Sequence, residues 1–131
     1  MRNFLALGAI IITATACGSS DGEPPKASDP ARAAFRPCAV CHSVADPATP
    51  AGQIRLAGPN LHGVVDAPAA RRDDFAYSSA MRASGVTWDA ASLDAYIENP
   101  KAFVRGNRMA FAGESDPDQR ALIIDYLKRK K

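Results

Sequence analysis

The segment CAVCH, residues 38–42, constrains this chain most, because it places two thiols and an imidazole within five residues. The spacing is compatible with covalent haem attachment, with half of a zinc site, or with a redox-active disulfide. Zinc would need His62 as a fourth ligand, but His62 has no partner at metal-ligand spacing and His42 directly follows Cys41. A thioredoxin-like disulfide requires a βαβ context, and the sequence has no strand pattern.

Haem attachment uses all three side chains of this segment. The two thiols bond to the vinyl groups of the macrocycle as thioethers, and the adjacent His42 can ligate the iron. A sixth iron ligand must come from another segment, where the candidates are His62, Met81 and Met109. Met81 falls in a helical pattern and His62 in a loop, whereas Met109 lies in GNRMAFAG between two glycines that allow a tight loop. Met109 is therefore the favoured candidate.

The N-terminus has the pattern of a targeting segment. Arg2 is followed by an apolar stretch, residues 4–12, that is too short to cross a membrane, and small residues then lead to Cys17. This pattern predicts a lipoprotein signal peptide over residues 1–16 and acylation of Cys17, with ordinary secretory cleavage as the alternative. Export would place the CAVCH thiols in a compartment where thiols do not simply stay reduced.

The remainder is predicted to be a tether and one folded domain. Residues 17–28 carry the lipidated cysteine and a Gly-, Ser- and Pro-rich stretch typical of a flexible linker, and residues 29–131 form the domain. A hydrophobic content of 47% and a charged content of 23% are those of a globular protein. The formal charge of +2 is too small for a nucleic-acid binder, so no nucleic-acid partner is expected.

The domain is predicted to be all-α, because no segment alternates like a strand. The cap and periodicity signals predict about four short helices: from Asp29 to about Arg36 where Pro37 stops it, over 75–83, from Asp89 to Asn99, and from Asp116 onward with Gln119 at the capping-box position. A further helical turn is expected after Pro100, and residues 43–60 are expected to be loop. Such long loops around a thin core indicate that an apolar ligand fills the middle.

Taken in order, several segments make the chain similar to class I cytochrome c: CAVCH, GPNLHGVV, FAYSSAM, SGVTW, ENPKAFVRGNRMAFAG and LIIDYLK. The likeness covers about residues 30–128 and is to the mitochondrial and α-proteobacterial soluble electron carriers. It implies the small cytochrome c fold, with helices wrapped around one haem c that is bound covalently through Cys38 and Cys41. It also implies that His42 and Met109 ligate the iron.

The resemblance implies roles for the residues around these ligands. The carbonyl of Pro59 would orient the His42 ring. Tyr77 and Trp88 would donate hydrogen bonds to a haem propionate. Tyr96 would lie beside the methionine sulfur, and Asn107 takes the place of a nearby hydroxyl residue.

The sequence also departs from the family pattern. Asp66-Ala67 stands where the family often has Gly-Arg, so the arginine that helps to neutralise a propionate is missing. Arg71 or Arg72 could replace it. Phe35 and Tyr126 match positions at which the first and last helices cross.

By resemblance the protein is an electron carrier and not an enzyme. The implied partners are a quinol–cytochrome c oxidoreductase of the bc type and a haem–copper oxidase. A lipid-anchored monomer on the periplasmic side of a bacterial membrane is expected, with cations around its docking face: Arg36, Lys101, Arg105 and Arg108. Two alternatives remain: a dedicated electron donor or acceptor of a periplasmic dehydrogenase, and a peroxidase-like or ligand-binding haem protein with weak Met109 ligation.

Overall fold

The computed structural model describes residues 28–131, which form an all-α domain as predicted. Within these residues no strand forms, and Pro68 and Thr87 make an isolated bridge. No helix of this part of the chain combines the length and apolar character that a membrane crossing requires. The helices are α1 (Pro30–Ala34), α2 (Arg36–Ala39), α3 (Ser79–Ala83), α4 (Ala90–Glu98), α5 (Pro100–Phe103) and α6 (Pro117–Lys128), with a 3₁₀ turn over Pro50–Gln53.

Three aspartates begin helices as the sequence predicts. The side chains of Asp29, Asp89 and Asp116 each accept a hydrogen bond from a backbone N–H in the first turn of α1, α4 and α6, at 3.1, 2.7 and 2.9 Å. Such bonds satisfy donors that helix geometry leaves unpaired. The predicted capping box at Gln119 is wrong, because the backbone N–H of Asp116 donates to the carboxylate of Glu114, at 2.9 Å.

Two predicted helix boundaries are also wrong. Pro37 does not end the first helix, because α1 already ends at Ala34. It lies near the start of α2, where its missing N–H breaks no helical hydrogen bond. α3 begins only at Ser79, since the hydroxyl of Ser78 accepts a hydrogen bond from the N–H of Met81 at 3.1 Å and caps the helix there. The domain therefore has two short helices, α2 and α5, in addition to the four that were predicted as full elements.

α1 and α6 pack against each other at one side of the core. The ring centroids of Phe35 and Tyr126 lie 4.9 Å apart, which agrees with the expected crossing of the first and last helices. Ala31 is only 2% exposed, so its small side chain is enclosed in this contact. At the rim, the guanidinium of Arg129 pairs with the carboxylate of Asp29 at 2.9 Å and joins the two ends of the domain.

Arg120 is a buried side chain that connects three parts of the domain. From α6 its Nε donates to Asp94 of α4 at 2.8 Å, and its Nη1 donates to the carbonyls of Glu114 and Ser115 at 3.0 and 2.9 Å. A buried guanidinium is tolerated only when its donors find partners, as they do here. The contact fixes the C-terminal end of the segment that carries Met109.

Ala70 has a left-handed backbone conformation, with φ of 54°. That conformation costs roughly 1–2 kcal/mol for a residue with a Cβ. Glycine adopts it without this cost, but a glycine has more conformational entropy in the unfolded chain, which offsets part of the gain in stability. We expect Ala70→Gly to raise the free energy of unfolding by about 0.5–1 kcal/mol in urea denaturation. Ala69→Gly is the control: its backbone is not left-handed, so that change should destabilise the domain, and an equal loss at both positions would contradict the strain at Ala70.

Candidate functional site

A cavity of about 590 Å³ lies in the middle of the domain, within the range of pockets that bind cofactor-sized ligands. Its walls are mainly apolar and come from the cysteine segment, the loops on either side of α3, α4, the Met109 segment and α6. The sequence-predicted site residues that line it are Cys38, Cys41, His42, Pro59, Tyr77, Trp88, Tyr96 and Met109. Asn107 does not line the cavity, and Cys17 lies outside the described residues.

Cys38 and Cys41 are brought together by a tight helical turn at the end of α2. The backbone N–H groups of Cys41 and His42 both donate to the carbonyl of Cys38, at 3.0 and 2.9 Å. No disulfide joins the two thiols. Burial raises the pKa of Cys38, so this thiol is protonated at neutral pH. The turn thus presents two thiols and an imidazole to the same cavity.

The ring of His42 is held in one orientation by the backbone. Its Nδ1 lies 2.8 Å from the carbonyl oxygen of Pro59, and because a carbonyl only accepts, Nδ1 carries the proton. The other nitrogen, Nε2, then keeps the free lone pair that a metal ion needs. Burial lowers the pKa of His42, which also favours the neutral, metal-binding form.

Gly58 forms a close-fitting wall behind that ring. A Cβ built at this position would lie under 3.0 Å from three atoms of the His42 ring. The backbone N–H of Gly58 also donates to the carbonyl of Cys41, at 2.8 Å, which keeps the two segments together. Only a residue without a side chain fits here, so the histidine cannot rock towards Gly58.

Met109 is carried by a loop that side-chain and backbone hydrogen bonds hold in shape. The amide of Asn107 donates to the carbonyls of Pro100 and Val104 at 2.7 and 2.8 Å, and its oxygen accepts from the N–H of Met109 at 2.8 Å. Asn107 therefore holds the backbone of the loop that carries Met109. Beyond the methionine, Gly113 has φ of 114° and turns the chain against α4.

The sulfur of Met109 has one polar partner. The hydroxyl of Tyr96 lies 3.7 Å from Met109 Sδ and donates a hydrogen bond to it. Burial raises the pKa of Tyr96 to about 12, so the phenol keeps its proton over the physiological range. One lone pair of the sulfur is engaged, and a thioether sulfur has a second one available for a soft metal ligand bond.

The wall of the cavity also contains aromatic donors. Trp88 is buried, and its ring centroid lies 4.9 Å from that of Tyr96. Tyr77 is half-buried, and burial raises its pKa, which preserves its O–H as a donor.

Some residues that line the cavity are not among the predicted cofactor-binding residues. Met81, which the sequence favours as a core or surface methionine, is 9% exposed and lines the cavity. Arg108 also lines the cavity and donates to the carbonyl of Ala76, so it bridges the Met109 loop and the segment before α3. The Gly-Pro pair at residues 58–59 was the signal that could have indicated Gly58, because tight backbone packing beside a ligand selects glycine.

The arrangement does not favour the other two interpretations of CAVCH. His62, the fourth ligand that zinc would need, does not line the cavity. Among residues 28–131, no group of three or more His, Cys, Asp or Glu side chains is placed to hold a metal ion. The domain also lacks the βαβ unit of a thioredoxin-like protein within the same residues.

A small all-α domain with two thiols, an oriented imidazole and a thioether around one apolar cavity has the donor set of a c-type haem protein. The residues present therefore fit a covalently attached haem. The thiols could bond to the vinyl groups, the imidazole and the thioether could hold the iron, and the apolar walls suit the macrocycle.

Comparison with known proteins agrees with this class. The chain is 44% identical over 103 residues to cytochrome c2 of Rhodomicrobium vannielii, covering 77% of this chain and 78% of that protein. It is 35% identical to cytochrome c2 of Rhodospirillum rubrum, covering 99% and 98%. The solved structure of cytochrome cH from Methylobacterium extorquens superposes with a TM-score of 0.69 at 40% identity, covering 77% of this chain and 96% of that one. No family model matches.

The chain belongs to the cytochrome c family. It is a haem electron carrier with one covalently bound c-type haem and its iron.

Proposed function

We propose that Cys38 and Cys41 attach the haem and that His42 and Met109 are the two axial ligands of its iron. The observation that carries this assignment is that all four side chains line one cavity, with the proton of His42 fixed on Nδ1 by Pro59. When bound, the haem supplies an iron that changes between the ferric and ferrous states by one electron. Histidine–methionine ligation favours the ferrous state and a relatively high potential.

The residues around these ligands would adjust the potential of the ferric–ferrous couple and keep the ligands in place. The hydrogen bond from His42 to Pro59 sets the basicity of the imidazole, and the bond from Tyr96 draws electron density from the sulfur of Met109. Asn107 keeps the methionine loop closed through its backbone contacts. Tyr77 and Trp88 would donate to a haem propionate. If His42 and Met109 both held the iron, no ligand position would remain for a substrate, and the protein would act as an electron carrier and not as an enzyme.

We infer that the carrier docks through the rim of the cavity. Arg36, Lys101, Arg105 and Arg108 are exposed, and Arg108 belongs to the cavity wall itself. Val40, between the two cysteines, is 77% exposed and adds an apolar contact. Exposed cations together with an exposed apolar side chain fit membrane complexes with acidic docking faces, here a quinol–cytochrome c oxidoreductase of the bc type and a haem–copper oxidase.

Turnover with purified complexes tests these partners. The reduced protein should be oxidised by a haem–copper oxidase and reduced again by a bc-type complex with quinol, with rates that fall as ionic strength rises. A periplasmic dehydrogenase with its substrate is the comparison donor. Reduction by the dehydrogenase without any oxidation by the oxidase would replace the respiratory assignment with the dedicated-donor alternative.

We propose that the mature protein is a monomer anchored on the periplasmic side of the membrane. The proposal rests on the sequence pattern: a signal peptide over residues 1–16, acylation of Cys17, a tether over 17–28 and the haem domain over 29–131. A tether of this kind would keep the carrier close to membrane partners and raise its effective concentration there.

Cys17→Ser tests the anchor. We expect this change to move most of the covalent haem from the membrane fraction to the soluble fraction, because no acyl chain can then be attached. Ser19→Ala, two residues further on, is the control and should leave the haem in membranes. Retention of the Cys17→Ser protein in salt-washed membranes would contradict lipidation.

A further inference from the structure

The cavity has a strong charge asymmetry in its lining. Two arginines, Arg71 and Arg108, line it, and none of the described lining residues is an aspartate or glutamate. A c-type haem brings two carboxylates of its own. A carboxylate that enters a low-dielectric wall without a counter-charge is destabilised strongly, so these groups need a cation nearby.

Position 67 cannot supply that cation in this chain. Its residue is alanine, and Ala67 does not line the cavity. Its backbone is instead fixed between neighbours, with its N–H donating to Val64 at 3.1 Å and its carbonyl accepting from Trp88 at 2.9 Å. The chain then passes the left-handed turn at Ala70, and the next residue is Arg71.

The two candidate arginines of this loop are in different situations. Arg72 pairs with both carboxylate oxygens of Asp74, at 2.9 and 2.8 Å, and does not line the cavity. Arg71 lines the cavity and donates from Nη2 to the carbonyl of His62. That contact uses one of the five N–H donors of the guanidinium. Its partner is a neutral carbonyl, so the contact does not pair the charge of Arg71 with a carboxylate.

Arg71 lines the same cavity as the aromatic donor Tyr77. Burial raises the pKa of Tyr77, while a backbone hydrogen bond from Arg72 and the charges of Arg71 and Arg72 act in the opposite direction. A phenol O–H and a guanidinium together form a site for a carboxylate.

We propose that Arg71 is the counter-charge of a haem propionate in this protein and replaces the arginine that position 67 lacks. The proposal rests on the haem assignment above. Arg71 is a positioning and tuning residue, since it acts on the propionate and not on the iron. The charge of Arg71 offsets the negative charge of the propionate near the iron. Because negative charge nearby stabilises ferric iron more than ferrous iron, Arg71 favours the ferrous state.

Spectroelectrochemical titration of the full-length holoprotein tests this directly. We expect Arg71→Gln to shift the reduction equilibrium towards ferric iron by about threefold at a fixed applied potential. Arg71→Lys should retain most of the wild-type value, because the charge is kept. Arg72→Gln, the matched control, should change the equilibrium much less, since its charge is already paired with Asp74.

A second variant pair makes the test specific to the propionate. Ala67→Arg should have little effect in the wild type, where Arg71 already provides the charge, and should restore the equilibrium in the Arg71→Gln background. The proposal is overturned if Arg71→Gln leaves the ferric–ferrous equilibrium unchanged. It is also overturned if Arg71→Lys or Arg72→Gln shifts this equilibrium towards ferric iron as much as Arg71→Gln does. A pyridine haemochrome assay on the same samples separates this from failure of the haem assignment, which would show as absent covalent haem in the wild type.

Discussion

Met109→Leu is expected to abolish the methionine–iron absorption band of the oxidised protein completely. Leucine has a similar volume and no sulfur, so the loop should keep its packing while the iron loses one ligand. The reduced variant should bind carbon monoxide rapidly, because a coordination position has opened, and the ferric state should gain stability relative to the ferrous state. Absorption spectra and carbon monoxide mixing experiments measure all three changes.

Met81→Leu is the matched control for this prediction. Both methionines line the cavity, but Met109 has the hydroxyl of Tyr96 at its sulfur and a loop fixed by Asn107, whereas Met81 belongs to the short helix α3. We expect Met81→Leu to keep the band. If Met81→Leu lost the band and Met109→Leu kept it, Met81 and not Met109 would be the iron ligand. A wild-type protein that lacks the band and binds carbon monoxide rapidly would support the ligand-binding alternative.

Gly58→Ala is expected to disturb the iron ligand itself. The added methyl group would overlap the His42 ring, and with the adjacent Cys41 attached to the same haem, as proposed, the ring would have little freedom to withdraw. We expect a loss of about 1–3 kcal/mol in the free energy of unfolding, together with altered ferric and ferrous spectra. Urea denaturation and absorption spectroscopy of the same preparation give the two values.

Gly52→Ala separates the effect on the ligand from a general packing defect. A Cβ at Gly52 would overlap the backbone of Asp46 and Pro47, which lies away from the His42 ring. This variant should lose stability by a similar amount and keep the wild-type spectra. If Gly58→Ala lowered stability without any spectral change, the close contact with His42 would not be what requires glycine at position 58.

The sequence was sufficient for those elements whose signals are local. Asp29, Asp89 and Asp116 begin helices because a short carboxylate side chain can reach the first free N–H groups, and no distant contact is needed. The crossing of Phe35 and Tyr126 followed from resemblance, since two aromatics so far apart in sequence carry no local pairing signal. The same holds for the approach of Pro59 to His42.

Features that depend on tertiary contacts could not be predicted in the same way. Whether Pro37 ends a helix or lies in the first turn of a new one depends on where the preceding turn stops. By resemblance Asn107 is placed near the methionine ligand, and the bonds from its amide to the carbonyls of a tight loop are visible only once the loop is folded. Likewise, Arg71 and Arg72 are adjacent in sequence, and only the partner Asp74 distinguishes them.

The central claim is that this chain holds one haem covalently through Cys38 and Cys41. A pyridine haemochrome assay on the purified wild-type protein and on the double variant Cys38→Ala/Cys41→Ala tests it most directly. We predict one covalent haem per wild-type chain, with the spectrum of two thioether bonds, and none in the double variant. Wild-type protein without covalent haem, or a double variant that retains it, would contradict the account.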